Sequence, residues 1–553
     1  MAVTPRRKRV LILGGVAGGA SCATRLRRLC ESCEIVIFDR GPYVSFANCG
    51  LPYYVGDVIQ DEAKLLVATP ELFRERFNID VRVDSEVTRI NRADHAIEIV
   101  ERRSGRTYVE SYDALVLSLG AAPIRPALPG IDLPGIFVLR TIPDSRRIRD
   151  WMRHHAAHRA VVVGAGFIGL EMAENLVGRG LEVTVVEMAT HVLPPFDPEM
   201  AVPIEDHLRA KGVALHLGDG VASFTQEEAG LAVHTRGGAT HQADLVILAI
   251  GVRPEVGLAR AAGLEIGALG GVRVDETMRT SDADVWAVGD MVEVRDFVTG
   301  AWSLIPLAGP ANRQGRLAAE AIAGRPRAFR GVQGTAVCGL FGWTAALTGA
   351  SERSLQRAGR TDYERVFLHP GHHVGYYPGA QPMYLKLLFA RDDGRVLGAQ
   401  AVGAEGVDKR IDVIAAAIQR GATVYDLEEA ELCYAPQFGA AKDPVNIAGM
   451  IASNVLRGDV ELASWLDLEH TNALILDVRV AAEVAAGHVP GSLNIPLSQL
   501  RTRAEELSRD REIWVYCAAG QRSYYAARFL AQRGFRIRNL SGGFKTYGQF
   551  AAQ

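Results

Sequence analysis

No run of apolar residues in the 553-residue chain reaches the ~18 needed to span a bilayer, which excludes a membrane-spanning helix. No charge sign dominates either: 61 Lys and Arg stand against 64 Asp and Glu, a net charge of −3. A global field that would favour nucleic acid or an anionic membrane is therefore excluded, and only a local basic patch could matter. The N-terminal stretch Met1 to Lys8 is basic but runs straight into a strand, so the expected location is the cytoplasm. Cysteine is scarce. The seven residues at positions 22, 30, 33, 49, 338, 433 and 517 read as an odd, scattered set without metal-like Cys-x-x-Cys spacing, which fits a reducing compartment and selected reactive thiols rather than a disulfide framework; no metal is expected. What remains is ordinary globular material, 48% hydrophobic and 23% charged, and at ~150 residues per domain the length suggests roughly three or four domains.

A second cysteine is missing where it would matter most. In Ser45-Phe46-Ala47-Asn48-Cys49-Gly50-Leu51-Pro52-Tyr53-Tyr54, the residue five after Cys49 is Tyr54, so no local dithiol can form. Cys49 must then work as a lone thiolate that accepts sulfur, oxygen or a thiol. A free cysteine is more often a small buried hydrophobe, and the surroundings decide against that here.

Those surroundings are nucleotide-binding. Arg9 to Leu13 reads as a strand that ends in Gly14-Gly15-Val16-Ala17-Gly18-Gly19, followed by a helix through Leu29 and a strand, Glu34 to Phe38, closed by Asp39 and Arg40. Glycines of this kind let the backbone approach a pyrophosphate at a helix N-terminus, and the acid takes a ribose hydroxyl; Val16 stands where the middle glycine is usual. A second unit runs from Ala160 to Val163 into a complete Gly164-Ala165-Gly166-Phe167-Ile168-Gly169, and its next strand ends at Glu187. Two such units need two dinucleotides, FAD for the first and a nicotinamide for the second. Glu187 would accept from a 2′-hydroxyl and repel a 2′-phosphate, and no Arg follows before His191, which favours NADH while leaving NADPH possible. Leu115 to Gly120 and Leu245 to Gly251 read as crossovers between the two nucleotide domains, and the stretch Thr280 to Asp290 resembles a second FAD motif whose last Asp holds the ribityl chain.

From about residue 325 the texture changes to glycine-rich strands and amphipathic helices, up to about 457. Two loops there are polar and aromatic together, His369 to Pro378 and Cys433-Tyr434-Ala435-Pro436 with Lys442; the histidines lack carboxylate or Cys partners, so a structural or substrate-contact loop is favoured over a metal site. Past Gly458 to Glu461 a separate α/β unit begins, with Asp477-Val478-Arg479, Gly487-His488-Val489-Pro490-Gly491 and a strand, Ile513 to Tyr516, leading into Cys517-Ala518-Ala519-Gly520-Gln521-Arg522-Ser523. A cysteine on such a strand-to-helix loop sits among outward N–H groups at a positive helix end, which favours a thiolate and stabilises an anionic persulfide, and Arg522 adds charge.

The pieces together resemble known families. Residues 1 to about 457 resemble the single-cysteine members of the FAD-dependent pyridine nucleotide-disulfide oxidoreductases, the coenzyme A-disulfide reductases and NADH-dependent persulfide reductases, through Gly14 to Ala20 and Ser45 to Cys49; residues 462 to 553 look like a rhodanese domain. The implied fold is α/β: a discontinuous Rossmann-like FAD domain (1–120 and 250–324), a Rossmann-like NAD(P)H domain (121–249), an α+β dimerisation domain (325–457) and a C-terminal rhodanese domain (462–553). NADH oxidases and peroxidases of similar appearance carry a catalytic His in the first glycine loop, where this chain has Ala17, so peroxide reduction at Cys49 lacks its proton handling.

The resemblance implies that coenzyme A, as substrate or tightly bound, lies along the first helix and reaches Cys49. Ser21, Arg25 and Arg28 share a face by their i, i+4 and i+7 spacing, with Ser45 and Asn48 beside the cysteine. It also brings Tyr434, Lys442, His373 and Tyr377 from the second subunit of a homodimer, with Tyr376 fitting the second tyrosine nearly as well. The leading expectation is NADH-dependent reduction of persulfides, polysulfides or coenzyme A persulfide at Cys49, with Tyr434 serving a leaving thiolate and Cys517 handling sulfane sulfur. The rivals are coenzyme A disulfide reduction at the same residues, a sulfurtransferase in which Cys517 does the chemistry and the flavin body regulates, and a redox-sensing module.

Overall fold

The computed structural model describes residues 7–228 and 230–551. They fall into two compact units, one of residues 1–188 with 213–334 and one of 189–212 with 335–553. The segment 189–212 lies inside the range expected for the nicotinamide domain yet packs in the second unit, through the helix Pro198–Ala210.

The first unit holds two parallel five-stranded sheets. In one, strand β1 (Arg9–Leu13) leads through helix α1 (Ala17–Leu29) to β2 (Glu34–Phe38), with Ala114–Leu117 beside β1, Val285–Ala287 beyond it at the edge, and Asp80–Arg82 beside β2. These strands are nearly continuous Val, Ile and Leu because both faces are covered: Val10, Leu11 and Ile12 have no exposed surface. Short helix α2 (Leu51–Val55) follows. The other sheet repeats the plan with β3 (Arg159–Val163), α3 (Phe167–Gly178) and β4 (Glu182–Val186).

The two glycine turns have the same geometry. Gly14 and Gly164 take left-handed backbones at φ 93° and 105°, and a Cβ on Gly19 or Gly169 would stand 1.9 Å from the carbonyl oxygen of Gly14 or Gly164. A side chain at either pair would force helix and strand apart.

The second unit contains an antiparallel five-stranded sheet whose edge strand is β5 (Tyr363–Leu368), and a parallel sheet with β6 (Leu474–Asp477) and β7 (Ile513–Tyr516) at its centre. From β7 the chain passes through the Cys517 loop into α4 (Gln521–Ala531), and it ends in α5 (Gly543–Ala551). The two sheets of this unit are joined: Phe367 N donates to Ser541 Oγ at 2.9 Å, and His369 Nε2 meets Thr546 Oγ1 at 2.8 Å. On the strand next to β5, opposite Phe367, lies Lys386, with no exposed surface, its ammonium donating to Asp197 at 2.7 Å, to Glu352 at 2.5 Å and to Glu199. These three carboxylates lie close enough together to hold a metal ion, but the ammonium stands among them.

One reading of the cysteines is corrected. Cys30 and Cys33 are three residues apart and are joined in a disulfide on the turn between α1 and β2, so the set is neither free of Cys-x-x-Cys spacing nor free of disulfides. The remaining five are free thiols, of which Cys49 and Cys433 are exposed. Among the described residues no helix is long and apolar enough to cross a membrane.

Candidate functional site

Cys49 lies in a single 3-10 turn, Asn48–Gly50, directly before α2. The loop is fastened to the first glycine turn by Ser45, whose N–H donates to Gly15 O at 3.0 Å while its carbonyl accepts from Val67 N at 2.8 Å. Ser45 is buried and left-handed at φ 49°, an uncommon backbone for a non-glycine residue that these bonds hold in place. Asn48 is half-buried and Cys49 exposed.

The electrostatics around Cys49 are acidic. Enclosure by the protein pushes its thiol above the ordinary value, and the carboxylates of Glu171 and Asp290 push it further. Glu171, on the second turn of α3, is pushed up to about 7 by burial and by Glu174, against a hydrogen bond from Tyr53 that favours its charged form. It therefore exchanges its proton near neutral pH, beside the one exposed thiol of this site. The sequence did not single out Glu171; the signal was an acid two residues past Gly169, inside the otherwise apolar run Phe167 to Ala173.

Asp290 is pushed up by burial, with Arg140 4.0 Å away as its compensating charge. The preceding Gly289 donates to Gln314 Oε1 at 2.7 Å, which fixes this turn. Asp39 accepts from Gly15 N at 3.1 Å and Gly41 N at 2.9 Å, and Glu187 accepts from Ala165 N at 2.7 Å, so each acid at a strand end braces its own glycine turn. Gly251, left-handed at φ 107°, follows the strand Leu245–Leu248. Phe167 opens α3 half-buried and Ile168 beside it is exposed, while Arg40 pairs at the surface with Glu255. Along α1, Ser21 donates to Asn312, Arg25 is paired with the buried Glu320 at 2.7 Å, and Arg28 is exposed. Among the described residues, the face expected to be doubly basic thus offers Arg28 as its exposed guanidinium, Arg25 being taken up by Glu320.

In the second unit the two aromatic loops come together. Tyr376 and Tyr434, both well exposed, share a hydrogen bond of 2.7 Å between their hydroxyls. Tyr377 instead packs edge-on against the buried His373, whose Nδ1 meets the Val374 carbonyl at 2.9 Å. The structure therefore brings Tyr376, rather than Tyr377, to Tyr434. Lys442 is exposed. Both loops hang on a buried ion pair that the sequence did not reveal: Arg410 donates to Asp443 at 2.8 Å and to the His372 carbonyl at 2.8 Å, and Asp443 caps the helix Pro444–Leu456. His369 is pushed down to about 3 by burial, so it serves as a neutral hydrogen-bonding ring.

The Cys517 loop closes on its own sulfur. Cys517 is 1% exposed; its Sγ accepts from Gly520 N at 3.2 Å, and Gly520 is left-handed at φ 99°. Ser523 Oγ stands 3.5 Å from the same sulfur, and Phe544 N donates to the Cys517 carbonyl at 2.7 Å. The charge expected from Arg522 is compensated. Its guanidinium forms two bonds, 2.7 and 2.6 Å, to Glu483, which it holds down at about 2.

The chain is similar to known proteins along most of its length. Residues 8–315 match the family described as pyridine nucleotide-disulphide oxidoreductase, residues 335–443 its dimerisation domain and residues 461–549 the rhodanese-like domain. A coenzyme A disulfide reductase of Staphylococcus epidermidis is 34% identical over 442 residues, 80% of this chain and 99% of that protein. The crystal structure of reduced Bacillus anthracis CoADR-RHD superposes with a TM-score of 0.97 at 46% identity, covering 99% of this chain and 98% of that one. A NAD-dependent persulfide reductase from A. fulgidus follows with a TM-score of 0.91 at 38% identity, covering 98% and 100%.

Proposed function

The chain belongs to the pyridine nucleotide-disulphide oxidoreductase family and ends in a rhodanese-like domain, and on that premise we propose that it reduces sulfane sulfur, as persulfide, polysulfide or coenzyme A persulfide, at the expense of NADH. The observation that carries this reading is a lone exposed Cys49 beside a proton-holding Glu171, in a chain that also buries a second cysteine, Cys517, in a strand-to-helix loop. FAD suits the first turn: a Cβ on Gly15 or Gly18 would strike Val44 or Val288 at 2.3 and 2.8 Å, so only glycine lets the loop stay this tight at the N-terminus of α1, where a pyrophosphate would be held. Asp290 with Arg140, and Asp39, are the polar groups assigned to hold it; Gly164, Gly166, Phe167, Ile168, Gly169, Glu187 and Gly251 are assigned to the nicotinamide nucleotide. When bound, the flavin supplies the two-electron link between NADH and sulfur.

The chain's own residues do the rest. The Cys49 thiolate attacks the sulfane or disulfide sulfur of the substrate, and the better-stabilised thiolate leaves. Its proton comes from Tyr434, assisted by the Tyr376 hydroxyl, both belonging to the second copy of a homodimer; Glu171 serves the protons at Cys49 itself. Arg28 takes a phosphate of coenzyme A, Ser21 and Arg25 frame that helix face, Lys442 adds a second cation, and Ser45 and Asn48 set the loop. Cys517 accepts sulfur into its ring of N–H and hydroxyl donors as a persulfide and passes it on, with Gly520 and Arg522 shaping the loop. Coenzyme A disulfide reduction uses the same Cys49, and the buried, donor-ringed Cys517 favours sulfane sulfur over it.

The test is anaerobic steady-state NADH oxidation with coenzyme A persulfide, polysulfide and coenzyme A disulfide, for the wild type, Cys49→Ser and Cys517→Ser. Rapid turnover on sulfane sulfur with sulfide release, abolished by Cys49→Ser, is the expected outcome. Turnover on coenzyme A disulfide alone would hand the assignment to that reaction, and sulfur transfer without NADH to a transferase.

A further inference from the structure

The Cys30–Cys33 disulfide belongs to none of the sites above, and its surroundings suit a reversible couple better than a staple. A bridge across so short a loop removes little freedom from the unfolded chain. The turn is moreover held without it. Arg27, buried at 5% exposure, donates through Nη1 to the carbonyls of Cys30, Glu31 and Cys33 at 3.2, 2.7 and 2.8 Å. Its Nε and Nη2 donate to Phe77 O and Asn78 O at 2.7 and 2.8 Å, which anchors the turn to the neighbouring helix end. Both cysteine backbones are thus fixed on one guanidinium whether or not the sulfurs are joined, and the same positive group offsets the negative carbonyl end of α1, which would otherwise oppose a thiolate. The two sulfurs differ in access. Cys30 is half-buried beside exposed Glu31 and Ser32, with Sγ 3.7 Å from Ser32 Oγ, whereas Cys33 is 5% exposed.

We propose that Cys30 and Cys33 form a second redox site, a dithiol that sulfane sulfur oxidises to the disulfide and that thiols reduce again. It rests on the proposed function in taking the same class of substrate. The Cys30 thiolate bonds to the outer sulfur of RSSH and RS⁻ leaves. The Cys33 thiolate then attacks Cys30 Sγ, the bond from Cys30 to the outer sulfur breaks, and that sulfur departs as HS⁻. The two thiol protons go to RS⁻ and HS⁻, so the sum is two Cys–SH plus RSSH giving the disulfide, RSH and H₂S. Two molecules of a small thiol restore the dithiol and leave as their own disulfide. Because Arg27 keeps the turn in place, the cycle proceeds without refolding it.

The experiment uses the full-length chain with Cys49→Ser and Cys517→Ser, reduced and freed of reductant, to which coenzyme A persulfide or polysulfide is added anaerobically without NADH. The expected result is one sulfide released per chain, with Cys30 and Cys33 together lost from alkylation in peptide mass mapping, and recovered with excess thiol. Adding Cys30→Ser and Cys33→Ser to the same background should abolish the release. Persistent alkylation of both cysteines, or sulfide release unchanged in the quadruple variant, overturns the inference. NADH-dependent turnover of the otherwise wild-type chain is measured alongside: its survival when the dithiol is inert refutes this site alone, and its absence when the dithiol reacts refutes the main function alone.

Discussion

Replacing Glu171 by Gln removes the carboxyl that sits with Tyr53 and Glu174 on one side of Cys49, Asp290 being the other acid that acts on the thiol. In the wild type, Glu171 ionises near 7, so above neutral pH its negative charge opposes the Cys49 thiolate. With an effective dielectric near 20, a charge at close range but partly screened is worth on the order of 1 kcal/mol, which is ~0.7 pH unit. Glu171→Gln should therefore shift the pH midpoint of Cys49 alkylation downwards by about that amount, read with iodoacetamide in a Cys433→Ser background because Cys433 is the other exposed thiol. Stability should follow the same sign. A carboxyl whose folded pKa is raised from 4.5 to about 7 opposes folding increasingly as pH rises between those values, so at pH 8 the variant gains up to about 3 kcal/mol over the wild type and at pH 4 nothing. Superimposable alkylation profiles, or a profile shifted upwards, would refute the placement of this charge at Cys49.

Lys386→Met leaves Asp197, Glu199 and Glu352 without their ammonium, and the loss should be roughly 3–5 kcal/mol in denaturant unfolding of the second unit; a loss under ~1 kcal/mol would show that the cluster is not held by that charge. Glu483→Gln frees the Arg522 guanidinium at the Cys517 loop, so sulfur uptake from a dianionic donor such as thiosulfate should rise several-fold, measured as cyanide-trapped sulfane sulfur, whereas an unchanged rate would mean that the ion pair does not restrain this loop. Tyr376→Phe should slow NADH turnover more than Tyr377→Phe, because only Tyr376 reaches the Tyr434 hydroxyl; the reverse order would reassign the pair.

The parts of this molecule that were legible in the sequence are those written in backbone constraints. Gly14 and Gly164 demand a left-handed turn, Gly19 and Gly169 a bare Cα, and apolar strands on either side leave little choice of fold. Cys517 was legible for the same reason, since a strand ending in Cys-x-x-Gly must turn on the glycine. What escaped were pairings between residues far apart in sequence. Nothing local marks Lys386 as the partner of Asp197, or Arg410 as the anchor of Asp443 and His372, because a buried ion pair is specified by the packed fold and either residue alone reads as surface charge. The same holds for Glu483, which neutralises an Arg522 that looked free, and for Glu320, which occupies Arg25. Tyr376 and Tyr377 could not be ranked from adjacency; the turn geometry sends one to Tyr434 and the other to His373. The Cys30–Cys33 spacing stood in plain view and was passed over because the cysteines were weighed as a set.

The central claim is that a lone thiol at position 49 takes up the substrate's sulfur. One equivalent of coenzyme A persulfide added anaerobically to the FAD-loaded protein, followed by alkylation and peptide mass mapping, reads this directly. The account predicts one extra sulfur atom on Cys49, removed as sulfide when NADH is supplied; a Cys49 that stays unmodified while the same preparation turns over persulfide with NADH would contradict it.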